Sequence, residues 1–292
     1  SITFVVFTLP MMLVSIVAGV FSDRFSKRSV IISMKWVEVA LMSLGTFALF
    51  HNPSGGMLPL IVLMGMGAQS ALYSPAKYGI LPEILPHEQL TSGNGSIELW
   101  TFMAIILGTA AGGILLGLTG ATPWHAGLVL TALTLVGLAA CYAIPHVPPA
   151  RAEGGVKETV ASAWEAVKAD KVLRFGILGA IMFWTIASLV GQDIIIYGKS
   201  VLGLSDSKTG LPLAAFGVGI GIGAVLAGKL SGAKVEYGLI PLGAVGLSIC
   251  LIVLGFTTPL LFGTLLWMCF LGIASGFVVV PINALIQWRA PE

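Results

Sequence analysis

Charge is what this sequence lacks most. Only 10 % of its 292 residues are Asp, Glu, Lys or Arg, against about 25 % in soluble globular domains. An ordinary soluble domain is thereby excluded. Cysteine is scarce too: Cys141, Cys250 and Cys269 each sit inside an apolar run. They have neither metal-ligand spacing nor a disulfide pattern, and read as small buried hydrophobes. The four histidines, His51, His87, His125 and His146, fall at predicted helix ends. HExxH, GxSxG and phosphate-loop motifs are absent, and no strand precedes any Gly-x-Gly pattern. No enzyme active site, metal or cofactor is therefore expected, and with a net charge of +2 no nucleic-acid partner. What the chain has in abundance is apolar residues, 57 % of the total with a mean hydropathy of +0.98. That composition points to an all-α, multi-pass membrane protein.

A helix needs about 20 apolar residues to cross the hydrocarbon core. On that basis the sequence predicts nine spans, at 2–22, 29–50, 58–80, 91–118, 124–145, 172–198, 209–231, 237–256 and 259–286. The breaks at 52–56, 121–123 and 257–259 carry no Lys or Arg. The alternate breaks carry Arg24, Lys27, Arg28, Lys77, Arg151, Lys157, Lys168, Lys171, Arg174, Lys229, Lys234 and Arg289, with only Lys199 and Lys208 on the opposite side. The positive-inside rule places the basic breaks in the cytoplasm and Ser1 outside. No cleavable signal peptide is expected. Without an initiator Met, the chain reads as a fragment that begins inside a fold.

Residues 148–171 differ in kind, starting Pro-rich and becoming polar with Val156, Val160, Ala163, Trp164 and Val167 at helical spacing. They predict a cytoplasmic linker with an amphipathic helix, between an N-terminal bundle at 1–147 and a C-terminal bundle at 172–292. An internal repeat agrees with this division. Ala18–Ser22 (AGVFS) recurs 209 residues later as Ala227–Ser231 (AGKLS), and Pro75 recurs 206 residues later as Pro281. Gly232 stands where the second copy would carry the counterpart of Asp23. Two six-helix halves follow, of which this chain would lack the first helix and the last two.

The first candidate site is Gly19–Arg28 (GVFSDRFSKR). Arg24, Lys27 and Arg28 are topogenic charges or, with Asp23, a conformational latch. Gly19 would permit close helix approach, and the carboxylate would meet a helix N-terminus or a cation. Lys35 and Glu38 share a face within a span. Pairing lowers the ~2.5–3.5 kcal/mol that an isolated charge costs at mid-membrane on insertion scales. Glu98, four residues after Asn94 on one face, is the foremost substrate-site candidate, with interhelical hydrogen bonding as the plainer role. Asp193 and Gln192 fall in the outer half of their span or at its outer mouth. Gln69 and Tyr73, on one face, would line a cavity or join helices. Gly108-x-x-x-Gly112, Gly113-x-x-x-Gly117 and the series Gly217, Gly219, Gly221, Gly223 are expected to be close-packing surfaces.

The order Gly19, Asp23, Arg24, Phe25, Lys27, Arg28 resembles the G-x-x-x-D-R-[FY]-G-R-R loop of the major facilitator superfamily of transporters, with Ser26 in place of the second glycine. In that family the loop stabilises the outward-open state. Tyr73–Ile84 (YSPAKYGILPEI), Gly93–Glu98 (GNGSIE) and Val278–Gln287 (VVVPINALIQ) are similar to the superfamily's bacterial lysophospholipid transporter branch. Lys35-Trp36-Val37-Glu38 is similar to its versions fused to an acyltransferase and acyl-carrier-protein synthetase. The resemblance implies a rocker-switch flippase of the bacterial inner membrane, moving lysophosphatidylethanolamine-like lipids inward for reacylation by a fused or associated acyltransferase. Lys35 or Lys77 would meet the phosphate, and Glu98, Glu38 or Asp193 the amine. Two alternatives stay open: a proton-coupled drug or small-solute exporter using Glu38 and Glu98, and a non-transporting membrane module that recruits a lipid acyltransferase.

Overall fold

The structure is a computed structural model that describes residues 2–120, 122–149, 156–204, 208, 210–232, 235–257 and 260–289. Arg151, Lys234 and the predicted loop positions Ala121, Thr258 and Pro259 lie outside the described residues. The described residues form helices and connecting turns, with no strand among them. The helices are α1 (Ile2–Arg24), α2 (Lys27–His51), α3 (Met57–Gly79), a short α4 (Leu81–Ile84), α5 (Leu90–Thr119), α6 (Trp124–Cys141), α7 (Val156–Ala169), α8 (Lys171–Ser200), α9 (Leu211–Ser231), α10 (Leu239–Phe256) and α11 (Leu261–Arg289). A 3-10 turn at His87–Gln89 leads into α5.

Each of the nine predicted spans falls on one of these helices. Among the described residues, seven spans are long and apolar enough to cross a membrane. Helix α1 makes an eighth if its halves, Val5–Ser15 and Val17–Arg24, bent by 56°, form one span. Large apolar side chains such as Leu133, Ile181 and Ile252 stand exposed on the outer faces. Burying such groups in lipid rather than in a core is the pattern of a multi-pass membrane protein.

The chain divides into two compact units. The first comprises Ser1–Ile84 and Ala111–Ala163, the second Leu85–Ala110 and Trp164–Pro291. In the first unit α1 packs against α3, and α2 lies between α3 and α6. Val30, Ile31 and Met34 of α2 meet Ala76 and Ile80 in its core. In the second unit α11 is central, with α8, α9 and α10 against it. Its core joins Ile194, Phe216, Ile220, Cys250, Met268 and Leu271.

Backbone, not side chain, makes the tightest helix contacts. A Cβ at Gly219 would overlap the carbonyl oxygen of Cys269, and one at Gly223 that of Ile273. On the neighbouring face of α9, a Cβ at Gly217 would come 2.7 Å from Ile106 Cδ1, and one at Gly221 2.7 Å from Leu99 Cδ1. The glycine series of α9 therefore packs α11 on one face and Leu99 and Ile106 of α5 on the other, as small-residue helix interfaces do in membranes. The expectation for α5 is corrected. Among the described residues, a Cβ at Gly108, Gly112 or Gly117 would meet nothing within 4 Å; the surroundings of Gly113 lie outside the described residues.

The repeat extends into three dimensions. A Cβ at Gly67 would overlap the carbonyl of Phe7 where α3 crosses α1, and a Cβ at Gly272 would overlap the carbonyl of Phe216 where α11 crosses α9. Phe216 follows Phe7 by 209 residues and Gly272 follows Gly67 by 205, close to the offsets of the sequence repeat. Ser22 and Ser231, equivalent within it, are both buried, and among the described residues neither Oγ has a hydrogen-bond partner. Helix α9 ends at Gly232, whose φ of 54° favours glycine. The helix stop thus occupies the place of the missing acid.

Candidate functional site

Polar groups gather at three places, each within one unit. The first lies between α2 and α3. Lys35 follows Lys27, the first residue of α2, by eight residues and Glu38 by eleven, which is ~12 and ~16 Å of helix rise. That is about half of the ~30 Å hydrocarbon core. Lys35 Nζ bonds Glu38 Oε2 at 2.9 Å. Gln69, on α3 and 4 % exposed, donates through Nε2 to Met34 O at 3.2 Å and reaches Glu38 Oε2 at 3.5 Å. Lys35 Nζ also stands 5.5 Å from the centre of the Tyr73 ring. The structure thus brings together four of the residues singled out in the sequence. Opposite charges and a polarisable ring face share a patch that is neutral as a whole. It can meet an incoming anion through Lys35 and an incoming cation through Glu38 or the ring face.

The second cluster lies between α5 and α11. Asn94 and Glu98 are 0 % and 1 % exposed. Asn94 Nδ2 donates to Gln287 Oε1 at 2.7 Å and to Leu90 O at 2.9 Å, while Gln287 Nε2 donates back to Asn94 Oδ1 at 3.1 Å. One turn along, Asn283 Nδ2 lies 3.4 Å from Glu98 Oε1. The two helices run antiparallel, so a pair spaced four apart on one meets a pair spaced four apart on the other. Asn283 and Gln287 were not among the residues expected from the sequence. Their signal was the i, i+4 spacing shared with Asn94 and Glu98.

The third cluster forms at the end of the first unit. Lys27, buried, pairs with Glu83 of α4 and lies 3.9 Å from Asp23 Oδ1. Its stem passes over Gly79, where a Cβ would come 2.8 Å from Lys27 Cε. Arg28 donates through Nε to Ile144 O at 2.7 Å and through Nη2 to Tyr142 O at 3.2 Å, just past the C-terminus of α6. A cation there complements the negative end of the helix. Arg24 is exposed. Among the described residues, a Cβ at Gly19 would meet nothing within 4 Å. Glu83, absent from the expected site, is the main partner of Lys27.

The remaining candidates stand apart from these clusters. Asp193 and Gln192 are exposed on α8. Lys77, half-buried at the end of α3, places Nζ 5.1 Å from the centre of the Tyr78 ring. On the second unit Asp170 caps α8, accepting from Val172 N at 2.8 Å and Leu173 N at 3.2 Å, while Oδ2 meets Arg289 Nη1 at 3.1 Å. The Leu173 amide first, then the Val172 amide and Arg289, hold the Asp170 carboxyl below its usual pKa.

The profile of the Major Facilitator Superfamily matches residues 1–292, the whole chain. This chain belongs to the Major Facilitator Superfamily. Within the superfamily it is similar to a curated protein of Yersinia enterocolitica named "Lysophospholipid transporter LplT", with 32 % identity over 281 residues, 93 % of this chain and 65 % of that protein. Proteins of the same name from Yersinia pestis and Yersinia pseudotuberculosis match with the same identity and coverage. The chain therefore spans 65 % of the length of the curated relatives it matches. Among solved structures it resembles the Escherichia coli fucose:proton symporter FucP, with a TM-score of 0.69 and 14 % identity over 97 % of this chain and 80 % of that one. At that identity the likeness concerns the superfamily fold alone.

Proposed function

We propose that this protein is a secondary transporter, moving lysophospholipids of the lysophosphatidylethanolamine type across the bacterial inner membrane by alternating access. The observation that carries the reading is the Lys35–Glu38 pair with Gln69 and Tyr73 around it. A lysophosphatidylethanolamine headgroup is a zwitterion, and this patch offers a cation for its phosphate and a carboxylate for its amine. Exchanging one ion pair for two leaves the buried charge balanced throughout. The similarity to proteins named as lysophospholipid transporters over 93 % of the chain supports the same substrate class. Glu98, with Asn94, Asn283 and Gln287, is a second polar station in the pathway, and Lys77 a further phosphate contact. Asp193 and Gln192, exposed on α8, take a lesser part. A fused or associated acyltransferase would consume the delivered lipid.

Lys27 and Arg28 tie together helix ends of the first unit. The latch role in this reading therefore falls first to Asp23, whose side chain is 42 % exposed, and to its neighbour Arg24.

Uptake of labelled lysophosphatidylethanolamine into proteoliposomes holding the full-length protein tests the reading. Transport well above protein-free vesicles is expected, together with a large loss in Lys35→Met and in Glu38→Gln. Wild-type uptake at the background rate overturns it.

A further inference from the structure

The ends of two long apolar helices meet at Asp170. Helix α8 begins at Lys171 and α11 ends at Arg289, and Arg289 Nη1 donates to Asp170 Oδ2 at 3.1 Å. Both helices are long and apolar enough to cross a membrane, so this ion pair marks one edge of the hydrocarbon core. From that edge Val172, Phe175 and Leu178 begin the exposed apolar surface of α8. Helix α7 does not continue the axis of α8. Asp170, the one residue between them, has φ −99° and ψ 105°, extended rather than helical. The chain therefore turns where the membrane ends.

The faces of α7 differ. Trp164 and Val167 lie one turn apart on its apolar stripe, and Trp164 is 60 % exposed. Glu165 and Glu158, two and nine residues before Val167, stand ~160° and ~180° around the helix from it, and both are exposed. An apolar stripe with acids averted is the pattern of a helix lying in the plane of a membrane interface. Cations rim the same end. Lys168, Lys171 and Arg174 follow one another at intervals of three, all exposed. Lys168 Nζ stands 5.2 Å from the centre of the Trp164 ring, Lys171 Nζ 5.9 Å from that of Phe175, and Arg289 Cζ 5.1 Å from that of Trp288. Such pairs hold the charge at headgroup level while the ring stays at the acyl boundary. From Glu165 to Arg174, with Arg289 included, four cations face two acids, and Asp170 is already committed to the α8 amides and to Arg289.

We propose that this end of the second unit is a docking surface for anionic phospholipid headgroups. Helix α7 lies in the headgroup layer on its Trp164–Val167 stripe, and Lys168, Lys171 and Arg174 hold the phosphates of the adjoining lipids. Charge names the occupant. The lysine beside the stripe is on the side of Trp164, the acids point away, and the two further cations stand where the lipid-facing surface of α8 begins. A negatively charged, laterally extended surface meets all three cations at once. The inference is independent of what the transporter carries.

The test uses full-length protein with Val167→Cys as its one reactive cysteine, carrying a nitroxide. It is reconstituted in vesicles of phosphatidylcholine alone or of phosphatidylcholine and phosphatidylglycerol in equal parts. Power saturation then compares access of the label to oxygen, which concentrates in lipid, and to a water-soluble nickel chelate. With phosphatidylglycerol the label should be open to oxygen and shielded from nickel, and the shielding should weaken in phosphatidylcholine alone. Lys168→Gln, Lys171→Gln and Arg174→Gln replace exposed side chains, so the fold is kept. Each should lower the preference for the anionic vesicles about fivefold. A label shielded from both reagents would show α7 packed on protein and overturn the proposal. A label open to nickel in both vesicles would overturn it as well, and so would equal shielding with and without phosphatidylglycerol.

Discussion

Asn94 and Gln287 hold each other through two hydrogen bonds of opposite sense, 2.7 and 3.1 Å long, across the contact of α5 with α11. An amide pair of this kind satisfies a donor and an acceptor on each side at once. Removing either partner takes one donor and one acceptor from the other's amide at a part-buried contact, at a cost of about 1–3 kcal/mol. Asn94→Ala and Gln287→Ala should each lower the thermal stability of the purified protein, and the double variant should lose less than the sum. A coupling energy of about 0.6–1.7 kcal/mol is expected, the range of interhelical hydrogen bonds in membranes. Strict additivity would show that the two side chains do not act as a pair.

Glycine positions that look alike in the sequence should respond differently. Gly272→Ala forces a methyl group into the carbonyl of Phe216, and Gly219→Ala into that of Cys269. Each should destabilise by about 1–3 kcal/mol or more, as overpacking does. Gly108→Ala and Gly112→Ala enter open space and should be neutral or slightly stabilising, since alanine is the better helix former. Melting temperatures of the four variants in one detergent decide the matter.

Lys27 is buried between carboxylates of α1 and α4. Lys27→Met should cost about 3–5 kcal/mol, the usual penalty for breaking a buried pair and leaving its partner charged. Adding Glu83→Gln should recover much of that loss, because the stranded carboxylate is then gone. A double variant as unstable as the single one would show that the lysine acts through its stem over Gly79 instead.

The cap of α8 sets a pH dependence. The Asp170 carboxyl titrates below its usual value, chiefly through the Leu173 amide, with Val172 and Arg289 adding to it. A depressed carboxylate contributes stability above its unfolded pKa of about 3.9 and loses it as pH falls through the lower folded value. Asp170→Asn keeps an acceptor at the cap but not the charge. Wild type should therefore exceed it in stability by a constant margin at neutral pH, and the margin should shrink below about pH 4. Salt should narrow it as well, since the Arg289 pair is partly exposed.

Hydropathy placed the spans because a membrane helix must be apolar along its whole length, whatever its neighbours. The same signal says little about faces. Gly108 and Gly219 sit in similar glycine-rich contexts, yet among the described residues only Gly219 of the two faces another helix. The predicted span 124–145 ran past Cys141, where α6 ends. Arg28, more than a hundred residues earlier, takes the carbonyls of Tyr142 and Ile144. Lys35 with Glu38 was legible because both lie on one helix, three residues apart. The amides of Asn283 and Gln287 were harder to assign, since the partners that define them lie 185 and 193 residues away.

The matching crossings, Gly67 over Phe7 and Gly272 over Phe216, bear on how the two copies compare. Two copies of a repeat can differ wherever a side chain can be exchanged, and the Asp23 position, glycine in the second copy, is such a place. Where two backbones touch, no exchange is open to either copy. Those two crossings therefore act as benchmarks common to the two copies. Register between the halves is best traced outward from them, even where intervening residues have nothing left in common.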